Sequence, residues 1–156
     1  MDDSTKAYIA GFLDGDGSIM LPIKPRRGVR YGYRIYATLC LYQDASHEKE
    51  LLAIRDQLQV GYVSRRKDGI AELRIDGYER VEQVLRQMGG YVRFKSHQVK
   101  LMLDALTLLK GNLTAEQFLQ VCRLADEIAH ANYTVRRKYS AATVEAYLRR
   151  KGLLSP

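Results

Sequence analysis

Two carboxylates, Asp14 and Asp16, close the run Tyr8-Ile9-Ala10-Gly11-Phe12-Leu13-Asp14-Gly15-Asp16-Gly17. Directly after them, from Gly17 to Gln43, the chain carries no acid but holds Lys24, Arg26, Arg27, Arg30 and Arg34. Acids beside so basic a stretch would repel a bound polyanion unless a cation lay between them. Hard carboxylate oxygens suit magnesium, which binds through one or two carboxylates completed by phosphate and water. The plain alternative is a helix-ending turn with solvated acids, whose charge opposes the helix dipole by roughly 0.3–1 kcal/mol. A calcium loop of the EF-hand kind is excluded on spacing. Counted from Asp14, its sixth position needs glycine and its twelfth an acid, and Ile19 and Pro25 stand there.

The elements that must hold these acids follow from periodicity and punctuation. A helix is predicted from Ser4 to about Asp14, stopped by Gly15 to Gly17. Within it Ala7, Gly11 and Gly15 fall four apart and stack on one face. Glycine in mid-helix costs about 1 kcal/mol against alanine, and a stripe of small residues lets another backbone approach closely. Gly11 therefore has two readings: accommodation inside one chain, or close approach of a second copy. Tyr8 and Leu101 are expected in the core.

Alternation then takes over. Ile19, Leu21 and Ile23 share one face, and Ser18, Met20, Pro22 and Lys24 the other, with Pro22 marking an edge or bulge. Arg26 to Gly32 reads as a connection. A second strand turns Ile35, Ala37, Leu39 and Leu41 inward and Arg34, Tyr36, Thr38, Cys40 and Tyr42 outward. Ser46 is expected to cap a helix ending near Gln59. Tyr62–Arg66 and Ile70–Ile75 form a hairpin about Asp68-Gly69. Asp76 with Glu79, and Thr114 with Gln117, resemble capping boxes opening helices to about Met88 and Ala131. Further helices are predicted over Ser96–Lys110 and Ser140–Lys151. The order is that of an α+β domain with an antiparallel sheet.

The totals agree with a nucleic-acid partner. The chain has 156 residues, a formal charge of +7 and a pI near 9.5. Another acid-free stretch, Gln83 to Leu103, holds Arg86, Arg93, Lys95 and Lys100, and Arg136-Arg137-Lys138 and Arg149-Arg150-Lys151 are compact basic clusters. Cys40 and Cys122 build no disulfide framework. No apolar run reaches the roughly 18 residues of a membrane helix, and the acidic start Met1-Asp2-Asp3 is unlike a targeting peptide. The expected setting is intracellular, a prokaryotic cytoplasm or organelle interior, with no membrane partner.

Residues Tyr8 to Gly17 closely resemble the signature of the LAGLIDADG homing endonucleases, with mild replacements at Ile9, Phe12, Leu13 and Gly15. The predicted element order is similar to that family's αββαββα core, whose antiparallel sheet forms a saddle on DNA and is followed by C-terminal helices. The resemblance extends over roughly residues 8 to 150 and implies one endonuclease domain over residues 1–156. One copy of the motif is present: Leu101 to Ala105 and Leu124 to Glu127 lack the glycines. Single-motif members resemble homodimers that pair their motif helices, here through Gly11, Phe12 and Gly15, and so bring two copies of Asp16 together.

The resemblance implies metal-dependent hydrolysis of both strands of a long pseudo-palindromic duplex, leaving short 3′ overhangs. Magnesium would be held by Asp16 and the Gly15 carbonyl, with Mn2+ or Ca2+ able to substitute for binding. By position, Gln43 and Lys95 match the family's water-organising glutamine and lysine; His47 stands where an arginine is more familiar. The plain alternatives are that Gln43 ends a strand, His47 is a solvated residue of a first helical turn, and Lys95 is one basic residue among many.

For DNA reading, two-stranded ribbons fit the major groove. The outer faces offer Met20, Lys24, Arg26, Arg30, Arg34, Tyr36, Thr38 and Cys40 from the first hairpin, and Ser64, Arg66, Glu72 and Arg74 from the second. Arg136, Arg137 and Lys138 suit phosphates. Two rival functions are an RNA maturase, assisting intron splicing, and a non-catalytic DNA-binding protein of this fold.

Overall fold

The computed structural model describes every residue except Val135 and Pro156. Helix α1 spans Asp3–Asp16, opened by the Asp2 side chain accepting from the Thr5 amide. Strands β1 (Gly17–Met20), β2 (Ile23–Pro25), β3 (Tyr33–Ile35) and β4 (Thr38–Asp44) follow. A 3₁₀ turn, Ala45–His47, leads into α2 (Glu48–Leu58). Then come β5 (Tyr62–Arg65), β6 (Ile70–Asp76), α3 (Tyr78–Met88), α4 (Ser96–Leu109), α5 (Ala115–Ala131) and α6 (Ala141–Arg150). No helix among the described residues is long and apolar enough to cross a membrane.

Strands β1-β4-β6-β5 form an open antiparallel sheet, and β2-β3 a separate ribbon. The first strand is split at Leu21-Pro22, where the proline marked an edge or bulge, and the second is split at Tyr36-Ala37, where no break was expected. Proline has no N–H to give the ladder. The register nonetheless carries through: Met20 faces Thr38, Ile23 faces Ile35, and the Pro22 carbonyl still accepts from the Tyr36 amide at 2.9 Å. The ribbon is thus the same hairpin, bent away from the sheet at its proline.

Period-2 alternation decides which face is covered. Ile19, Leu39, Leu41, Ala71, Leu73 and Ile75 turn to the core beside Ile9, Ala10 and Leu13 of α1 and Leu51 and Ile54 of α2. Burying each large aliphatic side chain contributes about 1.5–3 kcal/mol. The other face carries Ser18, Cys40, Tyr42, Glu72, Arg74, Asp76, Tyr62 and Ser64, paired across the strands. Cys40 and Cys122 are both buried and free, and burial pushes the Cys122 thiol up to about 12.

Four expectations are corrected. Helix α1 runs through Gly15 and Asp16, so Asp16 is its last residue. Ser46 does not cap a helix; the Asp44 side chain accepts from the Ser46 amide instead. Asp76 opens no capping box, because its carboxylate is taken by other partners and the N-cap of α3 is Gly77, whose φ of 105° favours glycine. Tyr8 is 61% exposed rather than core, since the buried face of α1 is set by Ile9, Ala10 and Leu13. The Thr114–Gln117 capping box is present as expected.

Candidate functional site

The motif separates its two acids. The Asp14 carboxylate accepts from the Arg93 amide at 2.7 Å and the Lys95 amide at 3.0 Å, residues 79 and 81 positions away. The Lys95 ammonium returns to donate to the Asp14 carbonyl at 2.5 Å. A cation there meets the negative end of the α1 dipole. Asp14 is therefore a clamp that fastens the loop before α4 to the end of α1 and fixes Lys95 beside it. Replacing Asp14 with Ala removes two charge-assisted bonds at a partly solvated position. The expected loss is about 2 kcal/mol of unfolding free energy; a urea midpoint equal to that of the parent would show that the clamp holds nothing.

Asp16 is the opposite case. It is exposed, and no described residue hydrogen-bonds or ion-pairs with it. Gly17 turns the chain at this point by donating to the Leu13 carbonyl, with no space for a side chain: an added Cβ would lie 2.8 Å from the Leu13 Cα and 2.9 Å from its carbonyl oxygen. The carboxylate of Asp16 and the carbonyls that end a helix without an intrahelical partner, Gly15's among them, are hard-oxygen donors. That set fits a divalent cation but is incomplete on one chain. Among the described residues no group of three His, Cys, Asp or Glu could hold a metal ion. Such a site needs further oxygens from outside the chain, as magnesium bound through phosphate and water does.

The remaining candidates for the chemistry lie on β4 and in the turn that follows it. Gly17 faces Leu41, so Gln43, two residues further along β4, lies level with the last turn of α1. Its side-chain oxygen accepts from the Asp44 amide at 3.0 Å. His47 is exposed at the end of the 3₁₀ turn.

The exposed side of α1 carries Ala7, Tyr8, Gly11 and Gly15, and a Cβ built on Gly11 or Gly15 would meet nothing within 4 Å. Neither glycine is required by packing inside the chain, which removes the first of its two readings. Phe12, by contrast, is partly buried against the core. Beside the stripe the clamp holds up Phe94, 88% exposed between the two amides that Asp14 binds. Nothing in its local sequence distinguishes Phe94 from a buried aromatic; the signal is tertiary.

On the ribbon, Lys24 and Arg34 stand directly opposite each other. Both lie over the Tyr36 ring, at 5.6 and 5.5 Å, and Arg26 reaches the Tyr36 hydroxyl at 3.5 Å. Like charges facing across a strand pair are destabilising, so this arrangement gains from any polyanion laid on it. Arg30 covers the Tyr31 ring. Arg136 and Lys138 are exposed, whereas Arg137 is mostly buried and paired with Asp126. Arg66 pairs with Asp68, and Arg74 with Asp76. Met20 turns toward α5, lining a cavity with Ala125 and Ile128, while Ser64 faces Glu72. Two expected DNA contacts are revised: Thr38 is 1% exposed and Cys40 0%, so neither offers a group to a base edge. Both lie beneath the longer side chains of their own face, and Thr38 spends its hydroxyl on Asp76.

Comparison with known proteins adds the remaining information. The LAGLIDADG endonuclease family model matches residues 9–103. Over 142 residues the chain is 30% identical to the DNA endonuclease I-CreI of Chlamydomonas reinhardtii, covering 90% of this chain and 86% of that protein. It is 27% identical over 146 residues to the DNA endonuclease I-CvuI of Chlorella vulgaris, covering 94% and 91%. The crystal structure of I-CvuI in complex with its target in the presence of 2 mM Ca superposes with a TM-score of 0.92 at 26% identity, covering 97% of each chain.

Proposed function

This chain belongs to the LAGLIDADG endonuclease family, and from that membership we infer a site-specific, divalent-metal-dependent DNA endonuclease working as a homodimer. The observation that carries the reading is Asp16: a free, exposed carboxylate at the end of a helix whose own exposed face is made of Ala7, Gly11 and Gly15. A two-fold pairing of that face sets two such carboxylates side by side, one for each DNA strand. Tyr8 and Phe94 flank the pairing surface with apolar area.

Asp16 and the Gly15 carbonyl hold the metal, which is magnesium in this proposal, with manganese or calcium able to replace it for binding. When bound, such an ion lowers the pKa of a coordinated water and stabilises the attacking and leaving oxygens. The chain's own groups do the rest. Lys95 places a fixed positive charge at the end of α1, where the scissile phosphate must come. Gln43 and His47 orient water on the β4 side. Lys24, Arg26, Arg30, Arg34, Arg136 and Lys138 neutralise phosphates along the duplex, and the outward side chains of β5 and β6 meet base edges. Residues 1–156 act as one domain, cutting a long pseudo-palindromic site to short 3′ overhangs. Two buried free thiols support a reducing intracellular setting.

A randomised duplex library tests this reading. In magnesium, sequencing of the cut ends is expected to show staggered double-strand breaks at one long, partly symmetric site, suppressed by a chelator. Binding without cleavage in any divalent metal would instead make the chain a non-catalytic binder.

A further inference from the structure

Asp76 ends β6 and is held from three strands at once. The Thr38 hydroxyl of β4 donates to its Oδ1 at 2.6 Å, and the Tyr62 hydroxyl of β5 approaches Oδ2 at 3.4 Å. The Arg74 Nε, two residues back on β6 and on the same face, donates at 2.9 Å to Oδ2 and 3.2 Å to Oδ1. Burial pushes the carboxyl up, but the bonds from Thr38 and Arg74 outweigh it and hold Asp76 below the usual carboxylate range. The group is ionised and its direction is fixed.

An ordinary surface ion pair is worth about 0–1 kcal/mol and leaves its arginine mobile. This one differs in how the guanidinium is used. Only Nε is bound; neither terminal amine of Arg74 has a partner among the described residues. Arg74 also stands in the cross-strand row Ser18, Cys40, Arg74, Tyr62, on the sheet face opposite the one that carries Leu39, Leu73 and Ile75. Cys40 beside it is fully buried, so the fork stands over a low floor. An arginine gripped at Nε has its two remaining amines parallel and free, the geometry that pairs end-on with guanine O6 and N7.

Resting on the endonuclease reading, the geometry points to Asp76 as a positioning residue that aims Arg74 at one guanine in each half-site, so that a residue making no base contact sets the base preference there. Asp76 has no lone pair to spare for a cytosine amine, because each oxygen already accepts two hydrogen bonds.

The test compares wild type with Asp76→Asn, Arg74→Lys, Arg74→Ala and the double variant Asp76→Asn/Arg74→Ala on a library randomised in one half-site. Wild type is expected to favour guanine at one base pair by about 5- to 150-fold over other bases. Asp76→Asn and Arg74→Lys should each reduce that to under about threefold while leaving the other positions sharp. The double variant should lose no more than Arg74→Ala alone, as coupled residues do. A merely structural Asp76 would blur every position equally or leave the guanine preference untouched, and either result overturns the proposal. So does a guanine preference that survives Arg74→Lys, whether or not the Asp76 variant folds. So does a preference lost in Asp76→Asn but kept in Arg74→Ala, which would make Asp76 the reader. If wild type cuts nothing in the library, the endonuclease reading fails instead.

Discussion

Asp16→Asn is expected to abolish cleavage while leaving the protein folded and bound to DNA. The side chain keeps its shape and loses only its charge. In the free chain that charge holds no partner among the described residues, so no described interaction of the fold is lost. It also sits at the C-terminal end of α1, where negative charge is unfavourable by roughly 0.3–1 kcal/mol when exposed. The melting temperature should therefore hold or rise slightly. In the reaction the charge has the opposite value. A metal-bound transition state draws several kcal/mol from its ion, and at 1.36 kcal/mol per tenfold the loss amounts to about a thousandfold or more in rate. Single-turnover cleavage in magnesium measures it, with a gel shift in the absence of metal as the control. Cleavage within tenfold of the parent would remove Asp16 from the metal site. A loss of DNA binding in parallel with cleavage would mean that the carboxylate positions DNA rather than metal.

Gly11→Leu is expected to separate the stability of the chain from that of the dimer. A Cβ at Gly11 meets nothing within 4 Å, and leucine is the better helix former by close to 1 kcal/mol. The isolated chain should gain helix stability. At a two-fold contact, however, the added bulk occurs twice. Overpacking costs about 1–3 kcal/mol per insertion. The dimer then loses roughly 2–6 kcal/mol, raising its dissociation constant by about thirtyfold to twenty-thousandfold. Sedimentation equilibrium should find a folded monomer at concentrations where the parent is a dimer, and double-strand cleavage should fall with it. A Gly11→Leu protein that dimerises and cuts like the parent would place the pairing surface elsewhere on the chain.

Much of the arrangement was legible in residue order, and the misreadings share one cause. The Asp68-Gly69 hairpin, the Thr114 capping box, the acid-free stretch and the motif itself all stand where local order put them. Pro22 announced a break, but whether it ended the hairpin or bent it depended on the Tyr36 amide across the ribbon. Tyr8 read as core because aromatics usually are; whether α1 turns it inward depends on which face the sheet covers.

Residue order by itself determined what depends on near neighbours: the periods of helix and strand, the turns, the distribution of charge and the motif that carries the chemistry. Tertiary structure alone decided how equivalent groups divide their work. Asp14 and Asp16 are the same residue type two positions apart, yet one clamps amides 79 and 81 positions away and the other is exposed with no partner among the described residues. Asp76 looked like a helix cap and holds an arginine in place. A carboxylate takes the strongest donors within reach, and which donors those are is settled only when distant strands and loops are brought beside it.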